Sequence, residues 1–141
     1  LEIIKPTYIF LGKKDFQQLF LIKKHIDKNQ IKTSVISCNT VRERMFLPYS
    51  SRNYNLNESN KALALKVFRI LRKEKKIIKK NKVKNIKLLN VKNKILKLGV
   101  KKIDYVEALN LDNLKKAKRF NENFNIFCAF YINNVRLIDN F

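Results

Sequence analysis

The chain has 141 residues, of which 45% are hydrophobic, and it carries a formal net charge of +21. This length allows one full domain or the joined halves of two, and it excludes a large multidomain enzyme. The 2 Gly and 2 Pro argue against a disordered chain, and the apolar runs fall short of the roughly 20 residues of a membrane helix. We therefore expect a soluble, cytoplasmic protein. Because residue 1 is Leu and no secretory signal follows it, we also expect the natural start to be missing.

The excess of basic residues has two interpretations. Clustered Lys and Arg gain affinity for nucleic acids by releasing counterions from phosphates. The sequence, however, holds 25 Lys, 18 Asn and 16 Ile but only 7 Arg, a bias typical of AT-rich codons. The basic stretch 69–102 also has no aromatic residue that could stack on bases. A solvated basic surface is the favoured interpretation, and a small nucleic-acid-binding module stays open as the alternative.

The residues with metal-binding or nucleophilic chemistry are isolated in the sequence. Cys38 and Cys128 have no second Cys or His nearby, which argues against a zinc site and against a disulfide framework. We expect both to be reduced, buried thiols. His25 lies on a helical pattern with no partner at a catalytic spacing, and we interpret it as a structural or surface residue.

The first forty residues have the pattern of a strand, a helix and a second strand. The run 8–11 is short, apolar and followed by Gly12, as expected for a buried strand. Asp15 is a predicted helix cap, and the apolar face of that helix carries Phe16, Leu19, Phe20 and Ile26. The β-branched run 33–38 predicts the second strand. Since such strands are parallel, Gly12 and Asn39 should lie at one sheet edge, where open α/β sheets bind ligands.

The rest of the chain has a different pattern. Asn57 is a predicted cap for a helix whose apolar stripe is Ala62, Leu65, Phe68 and Leu71. A second helix is predicted to end at Gly99, with an apolar stripe of Val83, Ile86, Leu89 and Leu96. Lysines are expected on the outer faces of both helices. Three strands should follow, at 103–107, 126–132 and 135–138. Asn133 and Asn134 should form a tight turn between the last two.

These patterns predict an α/β fold in two parts. Residues 1–40 are interpreted as the trailing βαβ part of a larger parallel-sheet domain, because two parallel strands do not form a stable sheet alone. Residues 41–141 are predicted to form a small α+β domain with an antiparallel sheet. We therefore expect the first part of the parallel-sheet domain to be absent from this chain.

Two polar segments have compositions suited to phosphate binding. The segment 12–15 lies where a strand ends and a helix begins, so that backbone N–H groups and the helix dipole favour anions. Its glycine allows close approach, its lysines supply positive charge, and Asp15 can accept from ribose hydroxyls. Gln18 lies one helical turn further, near the same helix end. The segment 50–53, Ser-Ser-Arg-Asn, combines hydroxyls with a guanidinium. Considered alone, Gln18 is more simply a surface residue and 50–53 an ordinary polar turn.

Five segments, in this order, resemble a known enzyme family. They are KPTYIFLGKKDFQQL, NTVRE, SSRNYNL, KIDYVEALN and RLIDN. The pattern is similar to the second half of the pantoate-beta-alanine ligase family and covers almost the whole chain. The resemblance implies a Rossmann-like nucleotidyl-transferase domain related to class I aminoacyl-tRNA synthetases. It also implies a cytoplasmic enzyme of the coenzyme A pathway, homodimeric when complete. Such an enzyme uses ATP and Mg²⁺ to form pantoyl adenylate from pantoate and then joins the pantoyl group to β-alanine.

The resemblance also implies roles for individual residues. ATP would be bound by Gly12, Lys13, Lys14, Asp15, Val41, Tyr49, Ser50, Ser51 and Arg52. Within this set Lys14 and Arg52 would be the catalytic residues, and Val41 would meet the adenine through its backbone. The segment 49–52 would form a mobile phosphate-binding loop similar to the KMSKS loop of tRNA synthetases. Gln18 would bind pantoate, and no residue of this chain is assigned to a metal.

The chain departs from the family pattern in two respects. Between Glu43 and Ser50 the family has P-D-G-L-A, and this chain has Arg44-Met45-Phe46-Leu47-Pro48, so a glycine-containing turn is lost. The family's histidine-bearing phosphate segment, a second pantoate-binding glutamine and the acidic magnesium ligands belong to the missing half, and His25 does not replace them. The leading hypothesis is an enzyme fragment that is inactive alone. A nucleic-acid-binding module and a non-catalytic remnant are the alternatives.

Overall fold

A computed structural model describes residues 1, 3–43 and 47–141 of the chain. The chain divides into two compact units, Leu1–Val41 and Arg42–Phe141. This division lies one residue after the predicted boundary at 40, and the functional assignment of the two parts stays a prediction. The predicted α/β class is confirmed, with a parallel sheet in the first unit and an antiparallel sheet in the second.

The first unit is a strand, a helix and a strand, as predicted. β1 is Tyr8–Gly12, α1 is Phe16–Lys28 and β2 is Ser34–Cys38. The two strands pair in parallel, with Tyr8 opposite Ser34 and Gly12 opposite Cys38. α1 buries Leu19 and Ile26, two of the four residues on its predicted apolar face. The parallel pairing places the carboxyl ends of both strands at one edge.

Two local features of this unit differ from the prediction. Gly12 is the last residue of β1 rather than the residue after it. Asp15 stands at the N-cap position of α1, but its side chain makes no capping hydrogen bond, so the predicted cap is wrong. Its φ of −94° and ψ of 52° differ from the extended conformation that capping residues usually adopt, because a 3-10 turn over Lys13–Asp15 leads directly into the helix.

The longest helix of the second unit begins at the predicted cap. α2 spans Glu58–Lys80, and the Asn57 side chain accepts a hydrogen bond of 2.9 Å from the Asn60 N–H. Its buried face carries Ala64, Leu65, Val67, Phe68, Leu71 and Ile78. Ala62, predicted on this face, is exposed, because it lies about 160° around the helix axis from Ala64. No helix among the described residues is long and apolar enough to cross a membrane.

The next helix, α3, is shorter than predicted and buries a different face. It spans Leu89–Lys97 and buries Val91 and Ile95. Leu89 and Leu96, predicted to be buried, are 68% and 45% exposed. The predicted stop at Gly99 is confirmed, since this glycine has a φ of 100° just after the helix.

The predicted first turns of this helix belong to an irregular connection between α2 and α3 instead. The Phe120 N–H donates to the Val83 carbonyl and the Ile86 N–H donates to the Lys118 carbonyl, each at 2.9 Å. Val83 and Ile86 therefore pair with a distant segment, and the Val83 N–H donates to the Ile78 carbonyl of α2 at 3.1 Å rather than to a carbonyl of α3. Such pairing leaves no periodic signal in the local sequence.

The second unit is built on a three-stranded antiparallel sheet in the order β3–β4–β5. The strands are β3, Lys102–Asn110, β4, Phe124–Ile132, and β5, Val135–Asn140. All three are predicted, with shorter bounds, and Asn133 turns the chain between β4 and β5 with a φ of 50°. α2 packs against β4 and α3 against β3. The hydrophobic core lies between these layers, where the rings of Phe68 and Phe130 meet edge to face at 5.6 Å.

Candidate functional site

The carboxyl ends of β1 and β2 are bridged by a side-chain hydrogen bond. Lys13 follows β1 and Asn39 follows β2, and Lys13 Nζ donates to Asn39 Oδ1 at 2.8 Å. The predicted common edge of the two strands is thereby confirmed. Next along the chain, Lys14 is half-buried, whereas Asp15 and Gln18 are exposed. Cations, a carboxylate and an amide thus surround the start of α1, where the helix dipole favours an anion.

Gly12 is not required by the fold of its own unit. Its φ of −71° and ψ of 134° are extended backbone that any residue adopts. A Cβ at this position would meet no described atom within 4 Å. Neither a tight turn nor close packing therefore explains the glycine. A strand end without a side chain, beside two lysines, lets a phosphate or ribose approach the backbone.

The second candidate segment is a short turn in the second unit. Ser50 caps a 3-10 helix, Ser51–Asn55, by accepting a hydrogen bond from the Arg52 N–H at 3.3 Å. Ser51 and Arg52 are exposed, and Tyr49 is 61% exposed. The segment 49–52 thus presents hydroxyls and a guanidinium at the surface of this unit. Val41, the predicted adenine contact, is the last residue of the first unit and is also exposed.

A buried asparagine holds this turn from behind. Asn53 is 7% exposed, and its Nδ2 donates to the Pro48 carbonyl at 3.0 Å and to Glu43 Oε1 at 3.1 Å. Its backbone N–H donates to the Ser50 carbonyl, also at 3.0 Å. Asn53 belongs to a sequence motif without a predicted role, because neither its burial nor its contact with Glu43 can be inferred from spacing.

An ion pair with two parallel hydrogen bonds ties the start of the second unit to its last strand. Arg42 Nη1 lies 2.7 Å from Asp139 Oδ2, and Nη2 lies 3.0 Å from Oδ1. The Asp139 side chain is fully buried and that of Arg42 is 21% exposed. The Asn140 N–H also donates to Asp139 Oδ1, at 2.8 Å. The guanidinium lies over the Phe141 ring, 5.1 Å from its centre. This buried pair is a second feature that the sequence analysis missed.

These contacts join the sequence motifs to one another. The Arg42–Asp139 pair joins NTVRE to RLIDN, and the bond between Asn53 and Glu43 joins SSRNYNL to NTVRE. A third contact, an ion pair from Nε of the arginine in RLIDN to the aspartate of KIDYVEALN, measures 2.7 Å. The sequence contains one signal of these contacts, since charged residues of opposite sign occur in separate motifs. The sequence alone does not say which of them meet.

The two cysteines and the histidine have no catalytic arrangement in the described residues. Cys128 is fully buried in β4, and burial raises the pKa of its thiol, which donates to the Asp139 carbonyl at 3.5 Å. Cys38 is only half-buried, so the prediction of a buried thiol is wrong for this residue. His25 is exposed on α1, as predicted for a surface residue, with Nδ1 3.3 Å from the Asn29 amide nitrogen.

One lysine of α2 departs from the predicted solvated face. Lys75 is half-buried, with Nζ donating to Asn125 Oδ1 and lying 5.6 Å from the centre of the Phe124 ring. Burial, together with the nearby charge of Lys79, lowers the pKa of Lys75 to about 8. Most other basic residues of α2 and α3 are exposed, as predicted. Lys75 is therefore a packing residue of the second unit.

The loop that departs from the family pattern ends in a buried leucine, and no metal cluster is present among the described residues. Residues 44–46 lie outside the described residues, while Leu47 is buried and Pro48 forms an antiparallel bridge with Arg42. In the described ranges, no three His, Cys, Asp or Glu side chains are grouped to hold a metal ion. The described residues therefore do not fit a Mg²⁺ ion held by protein side chains alone.

The comparison with known families favours the first of the three hypotheses over the nucleic-acid-binding module. A family model described as "Pantoate-beta-alanine ligase" matches residues 1–141, the whole chain. The chain belongs to the pantoate-beta-alanine ligase family. The resemblance noted in the sequence is thereby confirmed, and the nucleic-acid-binding alternative is not favoured.

Individual relatives agree with this family. A pantothenate synthetase of Flavobacterium psychrophilum is 32% identical over 141 residues, which are 99% of this chain and 50% of that protein. The crystal structure of pantoate-beta-alanine ligase from Francisella tularensis, complexed with beta-gamma ATP and beta-alanine, is 39% identical, with a TM-score of 0.73 over 100% of this chain and 45% of that one. The pantothenate synthetase of Thermus thermophilus, 23% identical with a TM-score of 0.83 over 96% of this chain and 49% of that one, shows the fold alone.

The match is partial on the side of the relatives. The chain spans about half the length of the curated relatives it matches, 50% of the Flavobacterium protein for example. It corresponds to their carboxyl-terminal region. What the complete relatives do is therefore carried to this chain only as a proposal.

Proposed function

We propose that this chain supplies the carboxyl-terminal part of an ATP-dependent ligase that condenses pantoate with β-alanine to pantothenate. The observation that carries the proposal is the family match over residues 1–141. The fold supports it, since the GKKD segment lies at the common edge of two parallel strands, with Lys13 bonded across that edge. The Francisella homologue in complex with beta-gamma ATP and beta-alanine supports ATP as the nucleotide and β-alanine as the amine.

The proposed reaction has two steps. A carboxylate oxygen of pantoate attacks the α-phosphorus of ATP, and the bond from that phosphorus to the bridging oxygen breaks as pyrophosphate leaves. The amine of β-alanine then attacks the acyl carbon of pantoyl adenylate, loses a proton and expels AMP. Neither step needs a protein nucleophile, because positioning and positive charge at the phosphates lower both barriers.

Within the proposal, each segment has a separate task. Lys14 and Arg52 stabilise the negative charge that develops as pyrophosphate leaves. Gln18 binds pantoate through its amide, at the exposed start of α1. The remaining ATP contacts are Gly12, Lys13, Asp15, Val41, Tyr49, Ser50 and Ser51. Mg²⁺, which neutralises phosphate charge in such reactions, would be held by ATP and by the amino-terminal half. The complete enzyme would be a cytoplasmic homodimer.

The experiment joins this chain to the amino-terminal half of a relative. The chain is co-expressed with the amino-terminal half of the Francisella tularensis ligase, and pantoate-dependent exchange of pyrophosphate into ATP is measured. Lys14→Ala and Arg52→Ala should each lower the exchange rate by about 100-fold or more, with the KM for pantoate nearly unchanged, because their charges act mainly in the transition state. Gln18→Ala should mainly raise the KM for pantoate, by about tenfold.

The matched control is Lys28→Ala, which removes an exposed lysine at the far end of α1 and should leave both parameters unchanged. If Lys14→Ala exchanges pyrophosphate at the unmodified rate, Lys14 has no role at the phosphates. A correctly assembled pair without any exchange would point to the non-catalytic remnant instead.

A further inference from the structure

The candidate phosphate-binding segment is closed by a single residue. The four residues 49–52 lie between Pro48 and Asn53, and the Asn53 side chain donates across the segment to the Pro48 carbonyl at 3.0 Å. The Asn53 backbone N–H donates to the Ser50 carbonyl inside the segment, at 3.0 Å. The segment is thus a small loop whose two ends are joined by the amide of one buried side chain.

The same amide group is fixed by a carboxylate. A primary amide has two N–H donors. In Asn53 one lies toward the Pro48 carbonyl and the other toward Glu43 Oε1, at 3.1 Å. Glu43 is held in turn, since its backbone N–H donates to the Leu47 carbonyl at 2.8 Å. A hydrogen bond to an ionised acceptor is stronger than one between neutral groups. We call this set, Glu43, Pro48 and Asn53, the clasp.

The chemistry of asparagine suits this position and that of its nearest isostere does not. Aspartate has the same size but offers two acceptors in place of two donors, and it would face both a carboxylate and a carbonyl. Asn53 is 7% exposed, so water cannot easily replace either bond. In front of the clasp, Ser51 and Arg52 are exposed. The buried side of the loop is therefore fixed while the polar side chains on it face outward.

We infer that Asn53, oriented by Glu43, is a positioning residue that holds the segment 49–52 in the conformation in which Arg52 acts on the phosphates. The inference rests on the proposed function for the role of Arg52, and on the structure alone for the clasp. A loop ordered before the substrate arrives loses less conformational freedom when it engages the phosphates. Asn53 itself touches no substrate and acts through the backbone of its neighbours.

The first test uses the chain by itself and needs no activity. Amide hydrogen exchange is compared between the unmodified chain and Asn53→Asp. The Glu43 and Arg52 amides, bonded to the Leu47 carbonyl and to Ser50 Oγ, should exchange at least about tenfold faster in the variant, whereas the amides of β4 should be unchanged. Equal exchange of the Glu43 and Arg52 amides in both proteins would show that the clasp does not order the loop.

The second test measures pyrophosphate exchange with the co-expressed amino-terminal half. Asn53→Asp should lower the rate by about 100-fold while the KM for pantoate stays within about threefold, because only the transition state uses the positioned arginine. In an Arg52→Ala background the same substitution should cost less than about threefold, since it acts through a residue already removed. An undiminished 100-fold loss in that background would overturn the inference.

Two variants of Glu43 keep the test decisive if Asn53→Asp fails to fold. Glu43→Ala removes one acceptor and leaves the Pro48 bond, so it should lower the rate by about tenfold, again only when Arg52 is present. Glu43→Gln keeps an oxygen acceptor and should stay within about threefold of the unmodified rate. A Glu43→Ala enzyme with full activity would contradict the role of the clasp. The co-expressed unmodified pair could show no pyrophosphate exchange while the amide hydrogen exchange of the lone chain is as expected. In that case the proposed function fails and the structural role of the clasp remains.

Discussion

The two units of the chain differ in how far they cover their own sheets. In the first, Tyr8, Phe10 and Ile36 are 58%, 67% and 40% exposed. Phe10 and Ile36 are partners in the parallel register, and Tyr8 lies two residues along the same strand, so the three share one face. In the second unit, Phe124 and Phe130 of β4 are at most 1% exposed. One sheet therefore has an open apolar face and the other is closed.

This difference follows from strand direction. Parallel sheets are normally covered on both faces, whereas a short antiparallel sheet is complete with helices on one side. Burying a large apolar side chain contributes about 1.5–3 kcal/mol, and the exposed face of β1 and β2 does not gain this contribution within its own unit. We therefore expect the second unit to fold independently. The first should depend on the amino-terminal half of the enzyme for its stability.

Hydrogen exchange of the lone chain should show the largest contrast. Amides of β4 should exchange at least about 1,000-fold more slowly, relative to unstructured peptides, than those of β1 and β2, because only β4 opens with the global unfolding of a stable core. Adding the amino-terminal half should slow exchange in residues 8–38 and leave β4 unchanged. Equal protection of the two sheets in the lone chain would remove the distinction between the units.

Two phenylalanine substitutions compare how tightly the side chains of the two sheets are packed. Phe130→Ala should lower the free energy of unfolding of the second unit by about 3–5 kcal/mol, because a fully buried ring leaves a cavity. Phe10→Ala, in the lone chain, should change stability by less than about 0.5 kcal/mol. Urea unfolding of both variants provides the measurement. A loss for Phe10→Ala as large as that for Phe130→Ala would mean that the face of β1 is covered within this chain.

Substitution of two arginines in the second unit compares the contribution to stability of a buried ion pair with that of a surface ion pair. Arg42→Leu leaves the fully buried Asp139 carboxylate without its partner and should cost about 3 kcal/mol of stability. Arg136→Leu is the matched control, because Arg136 and Asp104 are 36% and 26% exposed, and it should cost less than about 1 kcal/mol. Thermal and urea unfolding would test the order. Similar costs at the two positions would contradict the distinction between a buried ion pair and a surface one.

The smallest expected effect is a pH dependence from Lys75. In the folded chain its pKa is about 8, against 10.5 when unfolded, so between these values the unfolded state binds more protons. Stability should therefore rise with pH in this window, by less than about 1 kcal/mol since the half-exposed group is screened by solvent. Relative to Lys75→Met the unmodified chain should gain stability from pH 8 to pH 10. Lys76→Met, which removes an exposed lysine, should show no such difference.

The sequence predicts the parts of the fold that local patterns determine. β1, α1 and β2 are recognisable because apolar runs and helical spacing are properties of neighbouring residues, and the turn at Asn133 has its own local chemistry. α3 is the counterexample. Its predicted first turns pair with residues 118–120, a contact that no local spacing reveals, and the buried face of the remaining helix shifts to Val91 and Ile95.

The same limit applies to the candidate site. The segment 12–18 could be recognised as a candidate site because its residues are contiguous and lie at one strand end. The Arg42–Asp139 pair could not, since it joins positions 97 apart, and the clasp could not, since spacing shows neither the burial of Asn53 nor its contact with Glu43. With 32 basic and 11 acidic residues in the chain, opposite charge alone does not identify a partner.

The separation of Arg42 and Asp139 has a consequence for how the protein is made. These residues are 97 positions apart, and the entropic cost of closing a chain segment rises with its length. Contacts between distant positions form after local helices and hairpins. On the ribosome, α2 can fold as soon as it emerges, but Arg42 has no carboxylate to bind until β5 has been synthesised. Arg42 should thus be among the last residues of the newborn chain to become ordered, although it is encoded well before the strand that completes its ion pair.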